Sequence, residues 1–299
     1  MQSEQCISVT GHLCNDIIIT VDEFPPKGES RRIISREHYF GGGAANIAVG
    51  IAKLGGNAEL ISAVGKDFAD SPYEKHLVKA GVKTHLYHCD SENCSTAFMI
   101  NNLAGDQITY FEWGAGQAFQ TAEPPKRAFL HMATGDAAYN IKAAKNAVFA
   151  SLDPGQDVKY YTKEELETLF ENIDLLICNN FELSIMQDTT DLSPEDIIAK
   201  IPCAIITEGK KGSSLYSGNI REKEILPSVT VDAKDPTGAG DAYRAGLFTA
   251  VKKGYSMSTA CRVGAVVSSF AVEKIGTQTN LPDWDRMTER YESAFGELI

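Results

Sequence analysis

A three-layer α/β/α fold with a mostly parallel central sheet is predicted by the alternation of short apolar runs with amphipathic helical segments. The apolar runs have the length of buried strands and lie at 59–65, 128–134, 147–153, 173–179 and 203–209. Continuous apolar strands of this kind are typical of a parallel sheet that helices cover on both faces.

Two stretches depart from this alternation and predict a smaller antiparallel sheet. Polar and apolar residues interleave in 31–40 and in 94–113, and a turn at "NLAGDQ" divides the second stretch. A hairpin is also predicted at 213–225, with its turn at Gly218 and Asn219. Because no linker or repeat interrupts the chain, we expect one domain over 1–299, with a lid formed by segments at about 12–40 and 94–113.

Composition limits the class of function. The 299 residues are enough for a large core, and the net charge of -12 argues against a nucleic-acid-binding surface, which needs clustered Lys and Arg. The N-terminus lacks a basic region followed by an apolar one, and no apolar run reaches the ~18 residues of a membrane span. The seven scattered cysteines include no CxxC pair and are interpreted as free thiols. We therefore expect a soluble cytoplasmic protein without nucleic-acid or membrane partners.

The segment "DPTGAGD", residues 235–241, places two acids and two glycines directly before a helical pattern. A helix N-terminus carries unpaired N–H groups and a partial positive charge, and glycine allows a bulky anion to approach that backbone. The segment alone predicts either an anion site or a carboxylate-capped helix.

Polar residues follow the predicted strands, at the sheet edge where ligand groups gather in parallel sheets. They are Asp136, Asp153, Asn179 with Glu182, and Thr207 with Gly209. A second glycine cluster, "YFGGGAANIAVGIAKLGG" at 39–56, leads into a helix of small residues with Asn46 in its first turn. Neither GxGxxG nor GxxxxGK[ST] is present, so the cluster predicts a site for a polyhydroxyl ligand or, alternatively, a tight helix–sheet contact.

The glycine cluster, "NNFE", "TEGKKG" and "DPTGAGD" occur in the order and with the separations of the ribokinase-like (PfkB) family of sugar and nucleoside kinases. The chain resembles that family over roughly residues 5–292. It is most similar to the broad-specificity nucleoside kinases, in which "YRAG" follows "DPTGAGD" and counterparts of "DPGQD" and "TNLPDWD" occur. The resemblance implies a ribokinase-like α/β fold with a β-sheet lid.

The resemblance also implies roles for individual residues. Asp241 corresponds to the base that takes the proton of the acceptor hydroxyl, and the N–H groups of Gly238, Ala239 and Gly240 correspond to an anion hole. The residues that hold the substrate hydroxyls correspond to Asp16, Gly42, Gly43 and Asn46, and the ATP site corresponds to Asn179, Thr207, Gly209 and Gly212. Glu182, with Asn179, matches the pair that positions Mg²⁺ through water, and Asp235 and Thr237 border the monovalent-cation site, which binds K⁺ in many members.

Two positions depart from the family pattern. Some sugar-kinase relatives carry a lysine where this chain has Gly43, so a substrate larger than a free sugar has room. Pro236 replaces the usual threonine, so the motif does not by itself imply potassium dependence. We expect transfer of phosphate from ATP, with Mg²⁺, to the 5′-hydroxyl of a nucleoside. The alternatives are a kinase for free ribose or fructose and a non-catalytic ligand-binding protein, against which the intact Asp241 argues.

The predicted lid suggests a partner and a place for the base. Its apolar face includes Ile33, Phe98, Ile100 and Tyr110, which predicts a homodimer joined through the lids. The aromatic residues Tyr39, Phe111 and Trp113 are interpreted as flanking a nucleobase.

Overall fold

The computed structural model describes residues 6–217 and 222–299. The strands within these ranges are β1 (Ile7–Thr10), β2 (Cys14–Val21), β3 (Ile33–Gly41), β4 (Ala58–Gly65), β5 (Lys83–Cys89), β6 (Ser95–Asn102), β7 (Gln107–Glu112), β8 (Arg127–Met132), β9 (Ala147–Leu152), β10 (Leu175–Asn179), β11 (Cys203–Thr207), β12 (Ser213–Ser217) and β13 (Glu222–Leu226). The α-helices are α1 (Gly43–Lys53), α2 (Pro72–Ala80), α3 (Ala137–Lys145), α4 (Lys163–Asn172), α5 (Asn180–Thr190), α6 (Pro194–Ala199), α7 (Ala239–Lys252), α8 (Met257–Ala271) and α9 (Trp284–Phe295). None of these helices is long and apolar enough to cross a membrane.

The large sheet has nine strands in the order β13-β12-β11-β10-β9-β8-β1-β4-β5. Strands from β11 to β5 pair in parallel, and β12 and β13 extend one edge in antiparallel pairing. The five apolar runs predicted as buried strands form β4, β8, β9, β10 and β11, so the mostly parallel sheet is confirmed. Strands β12 and β13 form the predicted hairpin, whereas its predicted turn lies outside the described residues.

Two hydrophobic cores lie on opposite faces of this sheet. Along β10, Leu175 and Ile177 enter one core, and Leu176 and Cys178 enter the other, because successive side chains of a strand point to opposite faces. Residues of α1, α7 and α8 complete the first core, and residues of α3, α4, α5 and α6 complete the second. The predicted three-layer arrangement is therefore confirmed.

The predicted lid is a separate four-stranded sheet in the order β3-β2-β6-β7. Strand β2 pairs antiparallel with β3 and parallel with β6, and β6 pairs antiparallel with β7. The register aligns Tyr39, Asp16, Ala97 and Phe111 in one row across the four strands. Directly opposed residues share a face of a sheet, so Tyr39 and Phe111, two of the three aromatic residues predicted to flank a base, lie on the same lid face as Asp16.

Strand order reverses at β1, which lies between β4 and β8. Gly11, which follows β1, packs so closely that a Cβ there would lie 2.7 Å from the carbonyl oxygen of Thr134, which follows β8. The first lid strand, β2, begins at Cys14, directly after this point. Because ligands of open α/β sheets bind where strand order reverses, the connection positions the lid at the expected ligand crevice.

Candidate active site

Helix α7 begins at the "GAGD" segment. Its N-cap, Gly238, has a left-handed backbone with φ 76°, and a Cβ there would lie 2.8 Å from Thr277. The N–H of Ala239 donates to the carbonyl of Pro236 at 3.2 Å. The N–H groups of Gly238 and Gly240 have no hydrogen-bond partner among the residues that the structure describes. Backbone donors are therefore available at the positive end of α7, where an anion is stabilised.

Asp241 lies in the first turn of α7 and is joined to the first turn of α1. Asn46 Nδ2 donates a 2.8 Å hydrogen bond to Asp241 Oδ2. Asn46 Oδ1 accepts hydrogen bonds from Thr277 Oγ1 and Gln278 Nε2, both at 2.8 Å. These two donors orient the amide, so that it presents its NH₂ group to the carboxylate.

The three consecutive glycines Gly41, Gly42 and Gly43, at the start of α1, differ in what a side chain would meet at each position. A Cβ at Gly41 would overlap the carboxylate of Asp16, and a Cβ at Gly42, which has φ 91°, would overlap the carbonyl of His12. At Gly43 a Cβ would make ordinary contacts, 3.5 Å from Asp241 Oδ1 and 3.9 Å from Thr134 Oγ1. Gly41 and Gly42 are thus required by packing, whereas packing alone would admit a methyl group at Gly43, in contact with Asp241.

Burial perturbs the acids of this crevice. Desolvation raises the pKa of Asp241 to about 6, although the hydrogen bond from Asn46 and the charge of Arg244 oppose the rise. Desolvation likewise raises the pKa of Asp16 to about 7, and the charges of Asp241 and Asp235 add to this increase. Carboxylates with pKa values near neutrality in a crevice are typical of groups that exchange protons during catalysis.

A buried ion pair lies behind the turn at the start of α7. Arg244 Nε is 2.5 Å from Asp153 Oδ2, and Arg244 Nη2 donates to the carbonyl of Ile177 at 3.1 Å. Arg244 and Asp153 are 4% and 6% exposed. Glu182 also faces this pair, and burial together with the charge of Asp153 raises its pKa to about 7.

The predicted ATP-site residues lie along the carboxyl edge of the large sheet. Asn179 and Glu182 form a reciprocal capping box on α5, in which Asn179 Oδ1 accepts from the N–H of Glu182 at 2.9 Å and Glu182 Oε2 accepts from the N–H of Asn179 at 2.8 Å. Thr207 ends the adjacent strand β11, and Gly209 and Gly212 follow it with positive φ values of 56° and 98°. The capping box shows that the "NxxE" spacing has a structural role of its own.

Asp235 and Thr237, predicted to border a cation site, lie in the loop before α7. Asp235 Oδ1 accepts from the N–H of Thr237 at 2.9 Å, and Asp235 Oδ2 accepts from the N–H of Gly276 at 3.4 Å. Asp235 therefore connects this loop to the segment that carries Thr277.

Aromatic residues of the lid close on a histidine that follows β1. The ring of His12 lies 5.1 Å from that of Phe111 and 4.9 Å from that of Trp113. His12 Nε2 is 3.6 Å from Asp157 Oδ2. Two of the three aromatic residues predicted to flank a base thus meet at one end of the crevice, while Tyr39 lies in the same lid row as Asp16.

Sequence reasoning overlooked the residues that hold this site in place. Thr277 and Gln278 anchor Asn46, and a polar run directly after the apolar helix α8 was their only local signal. In the sequence, Arg244 stands out only as part of "YRAG", and Asp153 only as a strand end and the first residue of "DPGQD". The pairing between them depends on strand order, which local spacing does not encode. Asp136, another strand end, caps α3 by accepting from the N–H of Tyr139 at 2.8 Å.

Comparison with known proteins agrees with this geometry. The model of the pfkB family carbohydrate kinases matches residues 5–284. A nucleoside kinase from Methanocaldococcus jannaschii is 40% identical over 294 residues, which cover 96% of each chain.

Two solved structures are similar over nearly the full chain. The crystal structure of the nucleoside kinase from Methanocaldococcus jannaschii, an archaeal member of the ribokinase family, superposes with a TM-score of 0.93 at 38% identity, covering 97% of this chain and 99% of that one. The nucleoside kinase of Burkholderia thailandensis in complex with inosine superposes with a TM-score of 0.87 at 26% identity, with the same coverage of each chain.

Proposed function

This chain belongs to the pfkB family of carbohydrate kinases, and from that membership we propose that it is an ATP-dependent kinase that phosphorylates the 5′-hydroxyl of a nucleoside. The observation that carries the proposal is the position of Asp241. Its carboxylate lies one residue beyond the glycine turn, Asn46 binds one of its oxygens, and the other oxygen faces Gly43, 3.5 Å from where a Cβ would lie. A ligand-binding protein would need no carboxylate of raised pKa beside an anion-binding turn.

The reaction follows from these groups. Asp241 accepts the proton of the 5′-hydroxyl as that oxygen attacks the γ-phosphorus of ATP, and the bond from the γ-phosphorus to the bridging oxygen of ADP breaks. The N–H groups of Gly238, Ala239 and Gly240 stabilise the negative charge on the equatorial oxygens. The bond from Ala239 to Pro236 is long, at 3.2 Å, and a phosphoryl oxygen competes for that donor.

The remaining assignments surround this centre. Asp16, Gly42, Gly43 and Asn46 bind the ribose hydroxyls, and Asn179, Thr207, Gly209 and Gly212 line the ATP site. Asp16 lies in the lid and Asn46 in α1, so ribose binding brings the lid towards the large sheet.

Magnesium is the metal that this family implies, and the donor chemistry fits it. Among the described residues, no three His, Cys, Asp or Glu side chains converge to form a complete protein cage. Mg²⁺ in kinase sites is held mainly by water and phosphate oxygens with one or two carboxylates, and Glu182 with Asn179 supplies such oxygens. When bound, the metal neutralises charge on the phosphates of ATP.

Asp235 and Thr237 are proposed to border a site for a monovalent cation such as K⁺. Both offer hard oxygen donors, the ligand type that such cations prefer. Asp235 already orders the loop through the N–H groups of Thr237 and Gly276, so its oxygens are held in fixed positions.

A nucleoside is favoured over a free sugar by the space and the rings around the crevice. Gly43 leaves room in front of Asp241, and Tyr39 and Phe111 share the lid face that carries Asp16. Aromatic rings on that face offer a surface on which a base can stack.

A homodimer through the lids is proposed from the opposite lid face. The register aligns Ile17, Phe98 and Tyr110 in one row and Ile19, Ile100 and Ile108 in another row of the same face. Tyr110 is 63% exposed and Ile108 39% exposed, an apolar surface that a second copy would cover.

We place the protein in the cytoplasm, where ATP is available and its cysteines stay reduced.

The test is a donor-consumption screen with ATP and Mg²⁺ over a panel of nucleosides, ribose and fructose. We expect kcat/KM to be far higher for nucleosides than for ribose, with the product phosphorylated at the 5′ position. A higher kcat/KM for ribose or fructose would assign the protein to the sugar kinases. Turnover of no acceptor would favour a binding protein.

A further inference from the structure

The two motifs "DPGQD" and "YRAG" contact each other through their charged side chains. Asp153 of the first motif follows β9, and Arg244 of the second lies on α7. Their ion pair of 2.5 Å joins residues that are both at least nine-tenths buried. Neither residue is used in the proposed transfer of phosphate, so the pair needs a separate explanation.

Arg244 reaches back over the first turn of its own helix. Side chains of a helix point towards its N-terminus, and residue 244 lies one turn beyond Gly240. A Cβ at Gly240 would lie 2.7 Å from Arg244 Nη1. Gly240 therefore leaves room for the guanidinium at this turn, and a side chain there would displace it.

The location is unusual for a cation. A positive charge at a helix N-terminus is repelled by the helix dipole, and a buried arginine carries a large desolvation cost unless it is paired. Asp153, Glu182 and Asp241 surround Arg244 and offset both costs. The guanidinium also donates to the carbonyl of Ile177 in β10, the strand that leads to the Asn179–Glu182 capping box.

On the proposed function, we propose that Arg244, held by Asp153, is a positioning residue for phosphoryl transfer. It fixes the turn that carries Gly240 and Asp241 against the ends of β9 and β10, so that the base and the ATP-side residues keep one relative position. Asp241 itself is bound from α1 through Asn46, whereas Arg244 and Tyr243, which is 3.0 Å from Ser213, connect the same helix to the donor half of the site.

Electrostatics supports the same role. The charged groups that face Asp241 are Arg244, Asp153 and Asp16. The charge of Arg244 lowers the pKa of Asp241, whereas the charge of Asp153 raises it. Removal of Arg244 should therefore raise the pKa of Asp241, and removal of Asp153 should lower it. A general loss of packing would not be expected to produce opposite shifts in the two variants.

The experiment compares Arg244→Gln, Asp153→Asn and the double apolar variant Arg244→Met with Asp153→Leu. The pKa of Asp241 is measured by ¹³C NMR of its carboxyl carbon in the ligand-free proteins, and kcat, KM and melting temperature are measured in parallel. We expect the pKa of Asp241 to rise in Arg244→Gln and to fall in Asp153→Asn. In Arg244→Gln we expect kcat to fall on the order of 10²-fold while KM for the nucleoside changes less than about threefold.

The double variant separates positioning from stability, because apolar replacement of a buried ion pair often keeps a fold stable. We expect it to melt near the wild-type temperature with kcat still reduced. Recovery of kcat to within about threefold of wild type, or pKa shifts of the same sign in the two single variants, would overturn the inference. If Arg244→Gln does not fold, the inference is tested with Asp153→Asn and the double variant. In that case, a pKa of Asp241 that does not decrease in Asp153→Asn would overturn the inference.

The proposed function fails separately from this inference. A wild-type protein that phosphorylates no nucleoside would remove the function, whereas the NMR titration needs no substrate and tests the Arg244–Asp153 pair by itself.

Discussion

The side chain of Asn46 donates a 2.8 Å hydrogen bond to Asp241 across 195 residues of sequence. Since the amide oxygen of Asn46 is occupied by Thr277 and Gln278, its NH₂ group is held on Asp241 Oδ2. The other carboxylate oxygen, Oδ1, faces the space in front of Gly43. On the proposed function, this contact leaves Oδ1 as the atom that would receive a proton from a bound hydroxyl.

Asp241→Asn should abolish most of the activity without unfolding the protein. Asparagine keeps the volume and an acceptor oxygen for the first turn of α7, but it cannot take a proton near neutral pH. We expect kcat to fall by roughly 10²–10⁴-fold, with ATP affinity little changed and with a melting temperature equal to that of wild type or higher. Steady-state kinetics and calorimetry measure these quantities.

The matched control is Asp235→Asn, which changes an acid of the same loop that binds the N–H groups of Thr237 and Gly276. It should cost less activity than Asp241→Asn. A folded Asp241→Asn protein with more than about a tenth of wild-type kcat would mean that another group is the base.

Activity and stability should change in opposite directions between pH 5 and 8. Burial raises the pKa of Asp241 to about 6 and that of Asp16 to about 7, so both are charged at pH 8 and take up protons as the pH falls. Loss of the charged base should lower kcat/KM below about pH 6. The folded protein binds these protons more tightly than the unfolded chain does, so the stability they contribute is present at low pH and is lost as the pH rises through 6 to 7.

Melting temperature measured across this pH range tests the second half of the prediction. We expect it to be higher at pH 5 than at pH 8 in the ligand-free protein. Asp16→Asn should raise the melting temperature at pH 8 and flatten its dependence on pH, because it removes the larger of the two raised pKa values. An Asp16→Asn variant that melts below wild type at pH 8 would contradict the assigned cost of burying this carboxylate.

Gly42 and Gly43 should respond differently to replacement by alanine. Gly42 has φ 91°, and its Cβ would overlap the carbonyl of His12, so Gly42→Ala should destabilise the fold by more than about 1 kcal/mol. At Gly43 the new methyl group makes ordinary contacts and faces Asp241 Oδ1 at 3.5 Å. Gly43→Ala should therefore keep the melting temperature and raise KM for the nucleoside. Equal losses of stability in the two variants would show that Gly43 is structural.

The lid dimer should depend on the exposed apolar row. We expect the wild-type protein to sediment as a dimer at micromolar concentration, and Tyr110→Glu to shift it to a monomer with little change in melting temperature. Val78→Glu on α2 is the control, because Val78 is 73% exposed on a different element. A wild-type monomer under these conditions, or equal effects of both variants, would remove the proposed interface.

Local pattern in the sequence was enough to predict five strands of the large sheet and its layered class, but not the central strand β1. The apolar runs that form β4, β8, β9, β10 and β11 are recognisable because a strand buried on both faces has no polar positions. The "DPTGAGD" segment predicted a helix N-terminus because glycines before a helical run lie within a few residues of each other, and the structure begins α7 within the segment, at Ala239. These features depend on neighbours in the chain, and the chain displays them directly.

Contacts across the sheet could be known only from the folded chain. The hydrogen bond from Asn46 to Asp241, the anchoring of Asn46 by Gln278 and the ion pair between Arg244 and Asp153 each join segments far apart in sequence. Each depends on which strands are adjacent and on the side to which a side chain points, and neither periodicity nor motif spacing contains that information. Gly240 illustrates the difference: its place in the "GAGD" turn is visible in the sequence. That the guanidinium of Arg244 packs against it, 2.7 Å from where a Cβ would lie, is visible only in the folded chain.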